Sequence, residues 1–553
     1  MTNTTTGSEL VAPGQQPPAE ERAPLLARLI RPVVTHWQFA IVAAVAVVVR
    51  IVVVLGYPPI LWFNDSYDYL YDAVTHIPDE VRPNGYPFLL SLLLPLHSAY
   101  PLALLQAAMG VIIGVAIYAL LRHRGLPWWG AALPALPVLF DSYELHLEHM
   151  VTADPLFIFL VTVAVVVLCW NDRPSVLAIA IAGLLIGYAT VVRSVGEPLL
   201  AVVFVAMLIR RVGWRRLVTL LVAGIVPIGA YMIWFHASYG KYALTESSGT
   251  FLYGRVSTFA ECSKINPPAT LRVLCDPTPP YLRPPAGNYV WSDNELGPDR
   301  NKTTPLYNLH HSADNSLRFT PYTNGLTQKF AERAILAQPV DYLRVVLKDT
   351  LHTFGWNRQP DPLDIAGNGP AFQFVSQTEL NELIPWWVSP APNDAQANEI
   401  YKARKEFAGS GLGNTKAVLP WIRLIQVYQR YIYLRGPLLA IIVLIGLAGV
   451  VARWRRWGGI ALLPWLVGAL LIVLPPMTAG FSYRYVLAAV PAACLAAGLA
   501  FARRPRETVL ARGDDPPRPP RGGIAPGDAP ADDTGNGMAP EDETVDPPEA
   551  SAQ

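Results

Sequence analysis

The stretch that decides the fold runs from Trp37 to Ala73: WQFAIVAAVAVVVRIVVVLGYPPILWFNDSYDYLYDA. Its first part, Trp37–Gly56, is apolar apart from Gln38 and Arg50. At about 1.5 Å of rise per residue it spans a hydrocarbon core of roughly 30 Å. It is too long for a signal-peptide core and lacks a small-residue cleavage site after it, so it is expected to remain as the first span. The second part has the opposite character. Asp65, Asp68 and Asp72 stand among Trp62, Phe63, Tyr67, Tyr69 and Tyr71. The question is why a chain that has just crossed a membrane places three carboxylates among so many rings.

Hydrophobic residues make up 52% of the 553 and charged residues only 15%, with the apolar positions gathered in blocks, as in a polytopic membrane protein. About ten runs approach span length. They lie at Trp37–Gly56, Leu102–Leu121, Trp128–Phe140, Val151–Trp170, Val176–Val192, Pro198–Ile209, Leu217–Phe235, Tyr433–Val451, Ile460–Leu474 and Tyr485–Phe501. Alternate connections are basic: RAPLLARLIRP, LRHRG, NDRP, RRVGWRR, RWRRW and RRPRE. By the positive-inside rule these lie in the cytoplasm, which puts both termini inside and the other loops outside. The expected fold class is thus an all-α polytopic membrane protein with a large mixed extracytoplasmic domain.

The organisation expected is a disordered cytoplasmic tail (1–31), an N-terminal transmembrane catalytic module (32–235) whose acidic first outer loop is 57–101, an extracytoplasmic domain (236–432), C-terminal transmembrane helices (433–502) and a second disordered tail (503–553). Both tails are too polar to bury a core. The outer insert differs, with Trp291, Trp356, Trp386, Trp387 and helical-looking stretches such as LTQKFAERAIL and PVDYLRVVLKDTL. Cys169 and Cys494 read as packing residues within spans, whereas Cys262 and Cys275 share the insert and can close a disulfide if that side is oxidising and the geometry permits. The net charge of +1 favours no partner, and no nucleic acid is expected.

Ionisable groups converge on the outer face. Besides the first loop, FDSYELHLEHMVTADPLF brings Asp141, Glu144, Glu148, His149 and Asp154, VVRSVGEP brings Arg193 and Glu197, and GFSYRY brings Arg484 and Tyr485. Arg50, two turns from the outer end of the first span, is expected to snorkel to that face. Carboxylates and arginines at a membrane boundary suit attack by a hydroxyl on a sugar carried by a lipid phosphate. A carboxylate takes the hydroxyl proton, and arginines hold the phosphate and stabilise the charge it gains on leaving. Ordinary readings compete at each position. The rings can be interface anchors, Asp72 and Glu144 solvated loop charges, His149 a hydrogen-bonded surface or boundary residue, and Arg50 and Asp154 members of structural ion pairs. The run GSGLGNTK lacks the phosphate-loop spacing and is set aside.

Four segments taken together resemble the GT-C glycosyltransferases, in the bacterial branch related to protein O-mannosyltransferases and the lipid A aminoarabinose transferase. RIVVVLGYPPILWFNDSYDYLYDA is similar to that branch's first span and acidic loop, and RPNGYPFLLSLL to its R-P-P-G-Y-P-L-L-L element. HMVTADPLFIFL is similar to the later acidic residue that opens a span, and GYATVVRSVGEPLL with YRYVLAAVPAA to the arginine-bearing spans. The likeness covers about Arg50 to Leu200 and the last span, and is poor across the outer insert. It implies Asp65 as catalytic base and Asp154 as the second acidic position. Arg82, Arg193 and Arg484 would contact the lipid phosphate, and GYPFLLSLLLPL would lie along the outer surface. Asp68, Glu197, Tyr485 and Arg50 are further candidates for substrate binding. Asn84 stands where the family pattern has Pro, and DSYD is not the paired Asp-Glu of the mannosyltransferases. Some enzymes of the family use a divalent metal and others do not, and no metal-ligand spacing is visible here.

The sequence therefore points to an integral glycosyltransferase of a bacterial inner membrane. It would move a sugar from a polyprenyl-phosphate donor to an envelope glycan, lipid or protein on the outer face, with inversion. A lipid-linked sugar transporter or flippase would favour charges at mid-membrane on broken helices rather than along one face. A non-catalytic envelope scaffold would leave Asp65, Asp154 and the outward arginines without a common purpose.

Overall fold

The Val- and Ile-rich run at 37–56 is a single helix despite its β-branched residues. In lipid every backbone group must find its partner inside the segment, and that demand overrides propensity. Ile41, Val45, Val48 and Leu55 are exposed along one side, as for a lipid-facing surface, and Ala46, Arg50 and Val53 are buried on the other. The computed structural model describes residues 34–292, 294–296, 299–310, 318–356, 373–382, 395–407, 415–456 and 458–502. The expected tails, Trp386, Trp387 and most of GSGLGNTK lie outside them. The described residues all fall within one unit, Met1–Pro505.

The protein is an all-α, multi-pass membrane protein, and a helix lies on each of the ten apolar runs. Among the described residues four are long and apolar enough to cross a membrane: Trp37–Gly56, Tyr100–His123, Trp214–Tyr239 and Gly459–Thr478. A fifth crossing is added if Trp421–Tyr431 and Gly436–Ala452, bent by 57°, form one span. The other runs give shorter helices because polar residues end them early. Asp154, with Pro155 behind it, opens one helix three residues later than the apolar run begins. Arg193, in extended conformation, closes Val176–Val192. A helix of 17 residues is about 26 Å long, just under the hydrocarbon thickness.

Small residues set the helix packing. A Cβ at Gly187 would lie 2.1 Å from the Gly224 carbonyl oxygen, so helices Val176–Val192 and Trp214–Tyr239 touch backbone to backbone. The main core runs through these helices. A second apolar cluster, including Tyr253, Leu271, Tyr289 and Phe330, holds the segment after helix Trp214–Tyr239 together. Cys262 and Cys275 form a disulfide there, with Cα atoms 6.0 Å apart. LTQKFAERAIL and PVDYLRVVLKDTL are both helical, within Pro321–Ala337 and Pro339–His352. The sheet described is a short antiparallel pair, with Asn294 opposite Thr303 and Leu296 opposite Asp299.

Candidate active site

The mixture of rings and carboxylates is resolved once the acidic stretch coils. Asn64–Thr75 is a helix, and positions 65, 68 and 72 recur at helical spacing on one side. Tyr67 and Tyr71 point away, toward Trp62 and Ile400. Arg404 of helix Ala395–Phe407 lies over the Tyr67 ring at 5.8 Å. The acidic side keeps one ring, Tyr69, one turn from Asp65 and packed edge-on against Tyr86 with centroids 5.2 Å apart. Asp65 sits in the first turn, where a negative charge is favoured by the helix dipole.

Two segments are stitched together to bring Asp65 beside Asp154. Leu61 N–H donates to the His149 carbonyl (2.8 Å) and Val151 N–H to the Leu61 carbonyl (3.0 Å). Ser66 accepts from Phe63 N–H (2.9 Å) and donates to the Val151 carbonyl (2.6 Å). Arg82 is delivered by a tight loop. Asp79 accepts from the Val81 and Arg82 N–H groups, and Asn84 donates to the Ile77 carbonyl (2.9 Å) while accepting from Asp79 N–H (2.9 Å). Asn84, the departure from the family pattern, thus closes the loop. Gly85 comes next because a Cβ there would lie within 2.6 Å of the Val191 backbone, two residues before Arg193.

Three arginines and four aspartates interlock. Arg82 donates to Asp65 Oδ1 and to Asp68 Oδ2, each at 2.8 Å, and lies 3.9 Å from Asp79. Arg484 donates to Asp65 Oδ2 and to Asp154 Oδ2, each at 2.6 Å. Arg193 donates to Asp154 Oδ1. Both oxygens of Asp65 and both of Asp154 are therefore engaged. Each guanidinium also faces a ring: Arg82 over Trp291 (5.7 Å), Arg193 over Tyr485 (5.1 Å) and Arg484 over Phe63 (5.4 Å). Such planar cations, fixed on one face and hydrogen-bonded at the edge, are pre-organised for oxyanions.

The field around the acidic helix is uneven. Burial by itself would raise Asp65, but Arg82, Arg484 and Arg193 outweigh it and hold the carboxyl well below the usual range. Burial, reinforced by Asp79 and Asp65, pushes Asp68 up to about 7 although Arg82 pulls it down. Asp72 and Asp79 are raised too, again chiefly by burial.

Of the residues singled out from sequence, Asp65, Asp68, Arg82, Asp154, Arg193, Arg484 and Tyr485 come together. Two do not. Arg50 does not snorkel: it is buried and pairs through both Nε and Nη2 with Glu148 at 2.7 Å, because that carboxylate offers a partner inside the bundle. Glu197 is exposed at the start of its helix, with no ion-pair partner among the described residues. Asp72 and Glu144 are buried rather than solvated, and so is His149, whose Nε2 lies 2.8 Å from the Tyr57 carbonyl oxygen. Sequence reading missed Asp79, Phe63 as the ring beneath Arg484, and Trp291 as the ring beneath Arg82. The D-x-x-R-x-N spacing of the Asp79 loop was a usable signal; Trp291, over 200 residues away, gave none.

Among the described residues no group of three or more His, Cys, Asp or Glu side chains is arranged to hold a metal ion. A divalent cation at Asp65 or Asp154 would have to displace guanidinium groups from oxygens already engaged. The arrangement does not fit one.

No protein-family model and no curated protein matches the chain. Among solved structures it is similar to the Saccharomyces cerevisiae protein O-mannosyltransferase Pmt1-Pmt2 complex bound to the sugar donor. That match has 15% identity, covers 44% of this chain and 37% of the other, and has a TM-score of 0.31. It is also similar to the archaeal oligosaccharyltransferase AglB from Archaeoglobus fulgidus in complex with an inhibitory peptide and a dolichol-phosphate, at 13% identity, 84% and 50% coverage and a TM-score of 0.35. The chain spans about half or less of the length of the structures it matches. With TM-scores below 0.5, neither match carries an argument about this chain.

Proposed function

We propose that this protein is a membrane glycosyltransferase that moves a sugar from a polyprenyl-phosphate donor to a hydroxyl-bearing acceptor on the outer face of a bacterial inner membrane, with inversion. The observation that carries this reading is the Arg82–Asp65–Arg484–Asp154–Arg193 network, assembled at the ends of apolar helices from four separate segments.

The chemistry needs a phosphate held and a proton removed. Arg193 and Arg484 hold the lipid phosphate by charge-assisted hydrogen bonds, and Arg484 stabilises the charge that grows on it as the sugar leaves. Phosphate is a good leaving group, so one carboxylate base suffices, and it comes from the acidic face of helix Asn64–Thr75, Asp65 by the family resemblance. Arg484 reaches the carboxylates through Nε and Nη1 and Arg193 through Nη1, and the phosphate takes the N–H groups these bonds leave over, so the carboxylates stay in place. The outer segment, which contributes Trp291 beside Arg82, reads the acceptor.

The test is purified protein in lipid with a panel of polyprenyl-phosphate sugars, comparing wild type with Asp65→Asn for release of polyprenyl phosphate. Consumption of one donor, reduced at least about a hundredfold in the variant, supports the reading. Tight donor binding that is equal in both proteins, with nothing consumed, would make the protein a carrier or scaffold.

A further inference from the structure

We infer that Asp68, and not Asp65, takes the proton from the acceptor hydroxyl, while Asp65 acts as the anchor of two arginines. This rests on the glycosyl-transfer reading above and changes its base.

Geometry separates the two carboxylates. Asp65 has Arg82 on one oxygen and Arg484 on the other, so both of its oxygens already carry an ion pair and neither is left wholly to a hydroxyl. Asp154 is in the same position, held by Arg193 and Arg484. Asp68 lies one helical turn from Asp65 on the same side and accepts from Arg82 through Oδ2 alone, leaving Oδ1 for a substrate. Its side chain is 29% exposed, against 14% for Asp65 and 2% for Asp154, so it is the carboxylate at the mouth of the network. Asp79 has both oxygens on backbone N–H groups of its own loop.

The surroundings of Asp68 leave it basic enough for the task. From its own helix Asp65 and Asp72 face it, and from the loop after that helix Arg82 and Asp79. Helix Gly85–Leu93 carries no charged residue and meets the acidic helix through Tyr86 on Tyr69. Helix Ala395–Phe407 packs on the opposite side, through Arg404 over Tyr67. Burial, reinforced by Asp79 and Asp65 against the Arg82 guanidinium, keeps the Asp68 proton affinity near neutral pH, where a base works best, whereas Arg82, Arg484 and Arg193 make Asp65 a weak one.

In the transfer step the acceptor oxygen bonds to the anomeric carbon, and the bond from that carbon to the phosphate oxygen breaks with its electron pair left on the phosphate. The hydroxyl proton passes to Asp68 Oδ1. The products are the glycosylated acceptor and polyprenyl phosphate, and Asp68 later returns its proton to water.

The experiment uses the full chain in lipid with whichever polyprenyl-phosphate sugar wild type consumes. It measures kcat from pH 5 to 9 and, separately, donor binding. Asp68→Asn is expected to lose about a hundredfold or more in kcat, to bind donor within about threefold of wild type, and to lose the acid limb near pH 7. Asp68→Glu is expected to recover part of the rate and a limb, which separates chemistry from misfolding. Asp65→Asn is expected to weaken donor binding as well as turnover. An Asp68→Asn enzyme within tenfold of wild type that keeps the acid limb overturns the inference and leaves glycosyl transfer standing. If wild type consumes no donor, the glycosyl-transfer reading fails and the inference with it.

Discussion

Two buried arginine–carboxylate assemblies sit near each other in this protein and are built on opposite plans. Arg50 and Glu148 form a closed pair, one cation to one anion, both nearly inaccessible, with the spare donor of Arg50 on the Leu139 carbonyl (2.9 Å). The Asp65 network has three cations and four carboxylates from four segments, with exposure rising from Asp154 to Asp68. A sealed one-to-one pair has nothing left to offer a ligand. A network with surplus carboxylates, a graded mouth and a ring behind each arginine has. The difference teaches that burial of charge is not by itself a sign of function; the unspent bonding capacity at an accessible edge is.

The sharpest way to break that comparison is to remove the shared cation. Arg484→Met leaves Asp65 and Asp154 each with a free oxygen and takes away a proposed phosphate ligand. Turnover of polyprenyl-phosphate sugar is expected to fall by about 10²–10³, with donor affinity falling too. Unchanged donor affinity would move the phosphate site elsewhere. Next in size is the closed pair. Arg50→Met leaves Glu148 buried and unpaired, and is expected to cost about 3–5 kcal/mol of stability while the folded fraction keeps its kcat. A selective loss of kcat with normal thermal stability would instead put Arg50 in the site, as the sequence alone suggested.

A smaller effect tests the frame that positions Arg193. Gly187→Leu forces a side chain against the Gly224 carbonyl and separates helices Val176–Val192 and Trp214–Tyr239. Lower thermal stability is expected, with a modest loss of turnover as Arg193 shifts from Asp154. Equal stability of variant and wild type would show that these helices do not need their close contact.

Much of this was legible in the sequence. A helix lies on every apolar run, since the bilayer imposes both length and apolarity, but among the described residues only four are long enough to cross a membrane, or five with the bent pair, and polar punctuation at Asp154 and Arg193 shifted helix ends. Most members of the network were legible because arginines and aspartates at span ends stand out against an apolar background. Partnership was not. Nothing near Arg50 in sequence says that Glu148 will meet it, and Trp291 reaches Arg82 only through the folding of the long insert. Which of two carboxylates three residues apart is free and which is locked is likewise a property of contacts, invisible until Arg82 and Arg484 arrive from elsewhere.

The smallest expected effect comes from the contrast between Asp65 and Asp68. The Asp68 carboxyl is raised in the folded protein to about 7, from an ordinary value near 3.8, so the folded state keeps a proton that the unfolded chain gives up. Stability therefore falls as pH rises from about 4 to 7 and levels off above that. Asp65 works in the other direction: its lowered value contributes stability that is present above the ordinary carboxylate range and is lost as pH falls through it. Between pH 5 and 7.5 the Asp68 kind of dependence is opposed by His146 and His149, whose burial lowers them to about 3 and about 4, so that stability gained from them rises with pH up to about 6.5. Asp68→Asn, which no longer titrates, is expected to shift the slope of thermal midpoint against pH upward across that window, by a few degrees at most. Asp72 and Asp79, raised in the same way as Asp68, keep their own downward contribution. Asp65→Asn should leave the slope in that window intact and lower the midpoint throughout it, because Arg82 and Arg484 each lose a charged partner. If the two variants instead change the slope equally, the carboxylates share one proton and the division of labour between anchor and base does not hold.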